Sequence, residues 1–188
     1  MKGIVEELRK VVFGLLPDAA GGVVVVHLLA MVFGYSPHFP MFLLYLCGPG
    51  FAWLPDIKVL VERRIGRHRE SLAHYPLVSM PVLAVIVFLT ALFLGLPTGF
   101  FVLTGMCCVF LHYAHDVFCQ PMVGDGVKLL YPFNRDWIKL LSRDDGGRFR
   151  ILVRTKESKG FEGLIMEKGE VMYGLALLLT AILLVTLC

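Results

Sequence analysis

Charge is scarce in this chain: only 18% of its 188 residues are Asp, Glu, Lys or Arg, where soluble domains carry about 25%. That scarcity excludes a disordered tail and a basic nucleic-acid-binding domain, both of which need dense charge. Cysteine is sparse too. The five present (Cys47, Cys107, Cys108, Cys119, Cys188) form no C-x-x-C pair, which argues against a disulfide scaffold or a thiolate metal site; in apolar runs they read as small hydrophobic side chains. There is no internal repeat and no heptad. Gly124-Asp125-Gly126-Val127-Lys128 is too short for a Walker loop and lacks its Ser or Thr. Nor does Met1–Asp18 read as a signal peptide, because a charged lead precedes the apolar run and no A-x-A site follows.

Long apolar runs fill the space that charge leaves. Ala19–Gly34, Phe39–Leu54, Leu77–Leu96 and Val171–Cys188 carry no Asp, Glu, Lys or Arg, and Thr98–Phe118 carries only Asp116. A transmembrane helix needs roughly 17–25 residues, so the first two runs need a flanking turn. These runs predict an all-α integral membrane protein with about five transmembrane helices. All 18 Lys and Arg fall in three segments, 3 in Met1–Asp18, 5 in Pro55–Pro76 and 10 in Cys119–Glu170. Five spans with a cytoplasmic N-terminus place all three segments in the cytoplasm, as the positive-inside rule requires, and leave the C-terminus outside.

Four regions follow. In Met1–Asp18, Ile4, Val5, Leu8, Val11, Val12, Leu15 and Leu16 recur at helical spacing, which predicts an amphipathic helix lying in the cytoplasmic interface. Residues 19–133 form the membrane core, ending in a re-entry, Cys119–Phe133, broken by Gly124, Gly126 and Pro132. Residues 134–170 form a cytoplasmic segment. There Arg148, Arg150 and Arg154 alternate with Phe149, Ile151 and Val153, and Gly160 and Phe161–Met166 follow, which predicts a small β-hairpin. Residues 171–188 make the last span.

Ionisable residues inside lipid are costly and each needs a reason. His27 lies about 12 Å and His112 about 9 Å from the cytoplasmic ends of their runs at 1.5 Å per residue. Both therefore belong to the inner leaflet, where Asp56 and His74 enter from the Pro55–Pro76 loop. His112 and Asp116 are i,i+4 and share a helix face. His115 is turned ~60–75° away and is a weaker candidate. Together these residues predict a divalent metal site, with imidazole plus carboxylate suiting zinc or manganese better than calcium. Taken alone, His27 also suits a hydrogen bond to a neighbouring helix, and His68 suits a solvated position in an Arg-rich loop.

Leu54-Pro55-Asp56-Ile57, then His68-Arg69 with His74 before a span, then His112-x-x-x-Asp116, and then Gly126-Val127-Lys128-Leu129-Leu130-Tyr131-Pro132 stand in the order of motifs of the YdjM-like inner-membrane family. The resemblance runs from about His27 to Phe133. That family is described as metal-dependent hydrolases, also as LexA-binding, and is distantly similar to zinc phospholipases C and P1-type nucleases. The resemblance implies an inner-membrane location and phosphoester chemistry. Two positions depart from its pattern. Lys58 stands where the family's second Asp follows Asp56, and the His68–His74 spacing is one residue longer.

The expected protein is thus a membrane-embedded hydrolase of a phosphoester in a lipid or lipid-linked substrate. His27, Asp56, His68, His74, His112 and Asp116 are its candidate metal ligands. Asp56 or Glu70 serves as general base, while Arg69, Lys58 and Lys128 meet an anionic head group in a cleft between the first and fourth apolar runs. The alternative is a non-catalytic membrane anchor whose cytoplasmic segment contacts a protein partner; neither reading has a nucleic-acid partner. The Ser-Arg and Pro-Ser-Gly-His blocks of type-2 lipid phosphatases, the H-E-x-x-H of zinc proteases and the carboxylate pairs of CDP-alcohol transferases are missing.

Overall fold

A computed structural model describes residues 2–34, 41–56, 72–118, 127–143 and 149–155, with 176, 178–180 and 182 near the C-terminus. Among these residues the elements are α1 (Lys2–Val32), α2 (Met41–Ala52), α3 (Pro76–Phe93), α4 (Thr98–Phe118), β1 (Trp137–Arg143) and β2 (Phe149–Thr155). Short 3₁₀ turns, Leu54–Asp56 and Leu72–His74, follow α2 and precede α3.

No helix break separates the segment expected to end at Asp18 from the run that follows it. α1 runs unbroken from Lys2 to Val32 with Pro17 inside it. Proline costs a helix one hydrogen bond and often kinks it, yet the apolar run on its C-terminal side packs well enough to carry the helix through. Asp18 is consequently an interior helix residue, only 3% exposed. α2 likewise passes through Pro49, and its 12 residues reach ~18 Å, short of the ~30 Å hydrocarbon core.

α1 and α2 meet at two glycines. A Cβ on Gly22 would lie 2.5 Å from the carbonyl carbon and oxygen of Gly48, and one on Gly48 would strike the Gly22 carbonyl. Backbones come this close only where small residues face each other. Gly48→Ala is therefore expected to destabilise the fold by about 1–3 kcal/mol through overpacking, read as a lowered Tm in detergent. Gly50→Ala, with nothing within 4 Å of its Cβ position, should leave Tm nearly unchanged.

α3 begins with Pro76 in its first turn, where proline's missing N–H costs nothing. It ends at Gly95, whose φ of 66° closes the helix, with the Leu96 amide donating back to the Ala91 carbonyl at 2.8 Å. Pro97 follows at once, and α4 starts at Thr98. α3 over Pro76–Phe93 and α4 over Thr98–Val117 are both long and apolar enough to cross a membrane; Leu16–Val32 is a shorter apolar helical stretch. Only 11% of α3 is buried in the protein, against 61% of α4. Val85, Ile86, Leu89 and Leu92 are all exposed on α3, a surface that suits lipid and not water.

Among the described residues, two apolar clusters hold the helices together. Val26 and Ala30 of α1 pack with Val87 and Ala91 of α3 and with Phe100 and Phe101 of α4, and Phe51 of α2 joins them. Nearer the other end of α4, Val109, Tyr113 and Val117 enclose Val127. Of the expected Cys119–Phe133 re-entry, the described part starts at Val127, which pairs with Ile138 in an isolated antiparallel bridge. β1 and β2 pair antiparallel, Trp137 opposite Thr155 and Arg143 opposite Phe149. The strand expected at Arg148–Lys156 thus takes its partner from upstream, while Phe161–Met166 lies outside the described residues.

Candidate metal centre

Three segments bring four side chains to one buried point. The turn after α2 delivers Asp56, the turn before α3 delivers His74, and one face of α4 delivers His112 and Asp116 a helical turn apart. One ligand atom each from Asp56, His74 and His112 lies within 4.8 Å of the other two. His74 Nε2 is 3.2 Å from Asp56 Oδ1 and 3.9 Å from Asp116 Oδ2. His112 Nε2 is 4.0 Å from Asp56 Oδ1 and 3.4 Å from Asp116 Oδ2. Two donors bound tetrahedrally to one ion at about 2.0–2.2 Å stand roughly 3.4 Å apart. The spacing and the donor set of Asp56, His74 and His112, two imidazole nitrogens and a carboxylate oxygen, therefore fit a single divalent cation, and Asp116 Oδ2 lies beside both imidazoles.

Electrostatics point the same way. Two carboxylates face two imidazole nitrogens inside the protein, an arrangement in which the carboxylates repel each other unless positive charge lies between them. Asp56 feels this balance most clearly. Burial pushes its carboxyl up, but His112 and the hydrogen bond to His74 outweigh burial and bring it down to about 2. It is a carboxylate throughout the physiological range.

Behind the cluster stands Asp18. Its Oδ2 accepts from His112 Nδ1 at 2.8 Å and its Oδ1 from His115 Nδ1 at 3.0 Å. An ionised carboxylate only accepts, so His112 keeps a proton on Nδ1 and turns Nε2 towards the cluster as the atom that would ligate an ion. A carboxylate behind a ligating histidine fixes its tautomer and ring direction in this way. Sequence pattern alone does not reveal Asp18, because it closes the charged lead, where a lone acid looks like a helix boundary at the water interface. Nor does it reveal Tyr113: its hydroxyl donates to the Ala73 carbonyl and rests on Ser79 Oγ, pinning the turn that carries His74.

The other expected site residues fall elsewhere. His27 is not brought to the cluster: its Nδ1 is 2.8 Å from the Tyr45 hydroxyl and its ring stacks on Tyr45. Nine residues beyond Asp18 on the same helix, it is ~13 Å further along and roughly 180° around. His115 serves Asp18 and contributes none of the converging atoms. Lys128 holds its ammonium 5.5 Å from the centre of the Tyr75 ring, next to His74 in sequence. Lys58, His68, Arg69 and Glu70 lie outside the described residues.

A helical membrane protein with a buried imidazole–carboxylate cluster between its helices is the class these features define. Over residues 15–188 the chain matches the family described as YdjM inner membrane protein, and it belongs to that family. No curated protein and no solved structure matches it.

Proposed function

We propose that this chain is a membrane-embedded, metal-dependent hydrolase that cleaves a phosphoester of a lipid or lipid-linked substrate at the cytoplasmic leaflet. The observation that carries the reading is the convergence of Asp56 Oδ1, His74 Nε2 and His112 Nε2, joined by Asp116 Oδ2. Zinc is the first choice of ion for that donor set and manganese the second. A divalent ion supplies Lewis acidity to a phosphoryl oxygen and acidifies a water when bound. The chain's own part is to hold that ion with Asp56, His74, His112 and Asp116, and to orient His112 through Asp18. Arg69 and Lys58 are assigned to the anionic head group, with Lys128, beside Tyr75, at the margin of the site; Glu70 or Asp56 takes the substrate-side proton.

The test is phosphoester hydrolysis on several lipid classes with added zinc or manganese. Wild type should turn over at least one class, and Asp116→Asn should lose about 100-fold or more in rate, the scale of one general acid–base or electrostatic group. One feature favours a second reading, a non-catalytic membrane protein that contacts a partner through residues 134–170. With Asp116 as a fourth donor the site has the full complement of a closed structural centre. Equal background rates in the two metal-loaded proteins would decide for it.

The same proposal includes five spans with the N-terminus in the cytoplasm. Its support is the confinement of all 18 Lys and Arg to alternate segments. A reporter placed after Cys188 should then read extracytoplasmic, and one inserted near Asp145 cytoplasmic. A cytoplasmic signal after Cys188 would break the parity and sink the five-span topology.

A further inference from the structure

An apolar cavity of about 290 Å³ opens beside the cluster, against α3. It does not follow the route expected between the first and fourth apolar runs. Its inner end is built from Pro55, Ala73 and Tyr113, which are the sequence neighbours of Asp56, His74 and His112. Its outer end is built from Val82 and Ile86, which are 54% and 55% exposed on the apolar surface of α3. From Val78 to Ile86 the wall runs about 12 Å along the helix. Leu83 and Val109 form its floor.

The wall offers a ligand almost nothing polar. The Tyr113 hydroxyl donates to the Ala73 carbonyl and rests against Ser79 Oγ, which also bonds the Tyr75 carbonyl at 3.0 Å. Both hydroxyls on the cavity wall are therefore committed to the protein itself. A peptide laid here would strand its own N–H and C=O groups. Pockets that take a whole drug-sized ligand run ~300–1,000 Å³, so this one holds a slender group.

We infer that the cavity is a slot for one hydrocarbon chain of a membrane lipid, entered from the lipid-facing side of α3 and ending where the head group meets the Asp56–His74–His112 cluster. The chain chemistry is read from the cavity alone, while the role of the head group rests on the hydrolase reading above. A single tail fills an apolar slot of this size, and an amphiphile is the ligand that matches an apolar entrance with a charged inner end. The slot selects for lipid-linked substrates and holds the head at a fixed depth.

The experiment uses the full chain in phosphatidylethanolamine and phosphatidylglycerol nanodiscs doped with phosphatidylglycerol carrying a diazirine in one acyl chain. After irradiation, labelled residues are mapped by mass spectrometry. Labels are expected inside the slot, at Leu83, Val109 or Tyr113, as well as at Val85 and Leu89 on the outer surface of α3. Val82→Trp and, separately, Val78→Trp block the slot sterically and should lower the inner labels about tenfold while sparing the outer ones. Labels confined to Val85 and Leu89, or inner labels unchanged in both tryptophan variants, overturn the proposal. Zinc retention is measured on the same samples. Inner labelling without metal retention in wild type would remove the hydrolase reading and leave the slot standing; metal retention without inner labelling would remove the slot alone.

Discussion

Replacing His112 with alanine is expected to lower divalent-metal affinity by more than about 100-fold. That exceeds the about 10–100-fold typical of losing a carboxylate behind a ligand, because here a ligand itself goes. His112 Nε2, like His74 Nε2, faces both Asp56 and Asp116, so its loss leaves a single imidazole between two carboxylates. The measurement is zinc or manganese titration of detergent-purified protein, paired with thermal unfolding. A ligand that binds only the folded state stabilises by about 2.7 kcal/mol at a hundred times its Kd. Zinc should therefore raise the Tm of wild type and not that of His112→Ala. Because Asp18 keeps its bond to His115, the variant should still fold. Acid should weaken metal binding, because protons compete with the ion for the lone pairs of the ligating imidazoles. Unchanged metal affinity in a folded His112→Ala protein would remove the metal centre.

How far the sequence reached this site depended on what each residue's neighbours could reveal. His112 and Asp116 were legible because i,i+4 spacing fixes a shared helix face whatever the rest of the fold does. Asp56 and His74 were legible as carboxylate and imidazole at the mouths of apolar runs. His27 was misplaced because depth along a helix gives only one coordinate. Its azimuth, half a turn from Asp18, follows from α1 continuing through Pro17, which no local rule for proline predicts. Asp18 was hidden for the same reason, since a break at that point turned an interior acid into a surface one. α3 and its glycine stop were plain in Pro76 and Gly95, and the apolar character of α4 survived its three ionisable residues. The strand at Phe149–Thr155 announced itself by alternation, but its partner is set by β1, itself tied under α4 by the Val127–Ile138 bridge. Alternation cannot name a partner, because any strand of matching length satisfies it.

Asp18 supplies the second large effect, and it separates a positioning residue from a merely structural one. Asp18→Ala removes the acceptor from both His112 Nδ1 and His115 Nδ1. With neither ring held, His112 is free to carry its proton on Nε2, the atom that must offer a lone pair, and metal affinity should fall about 10–100-fold. Asp18→Asn keeps one acceptor oxygen but replaces the other with a donating NH₂. If the oxygen faces His112, that ring keeps its proton on Nδ1 and only His115 has to change tautomer. Affinity should then fall by less than in the alanine variant, about tenfold at most. A residue that acted only by filling space would give the opposite order of evidence: both variants would lose Tm together, and metal affinity in the folded fraction would stay at the wild-type value. Titrating zinc into folded Asp18→Asn and Asp18→Ala, with Tm measured on each metal-free protein, tells the two apart. Graded loss of affinity beyond any loss of stability assigns Asp18 to the ligand it orients. Wild-type affinity in both variants would return it to the helix core.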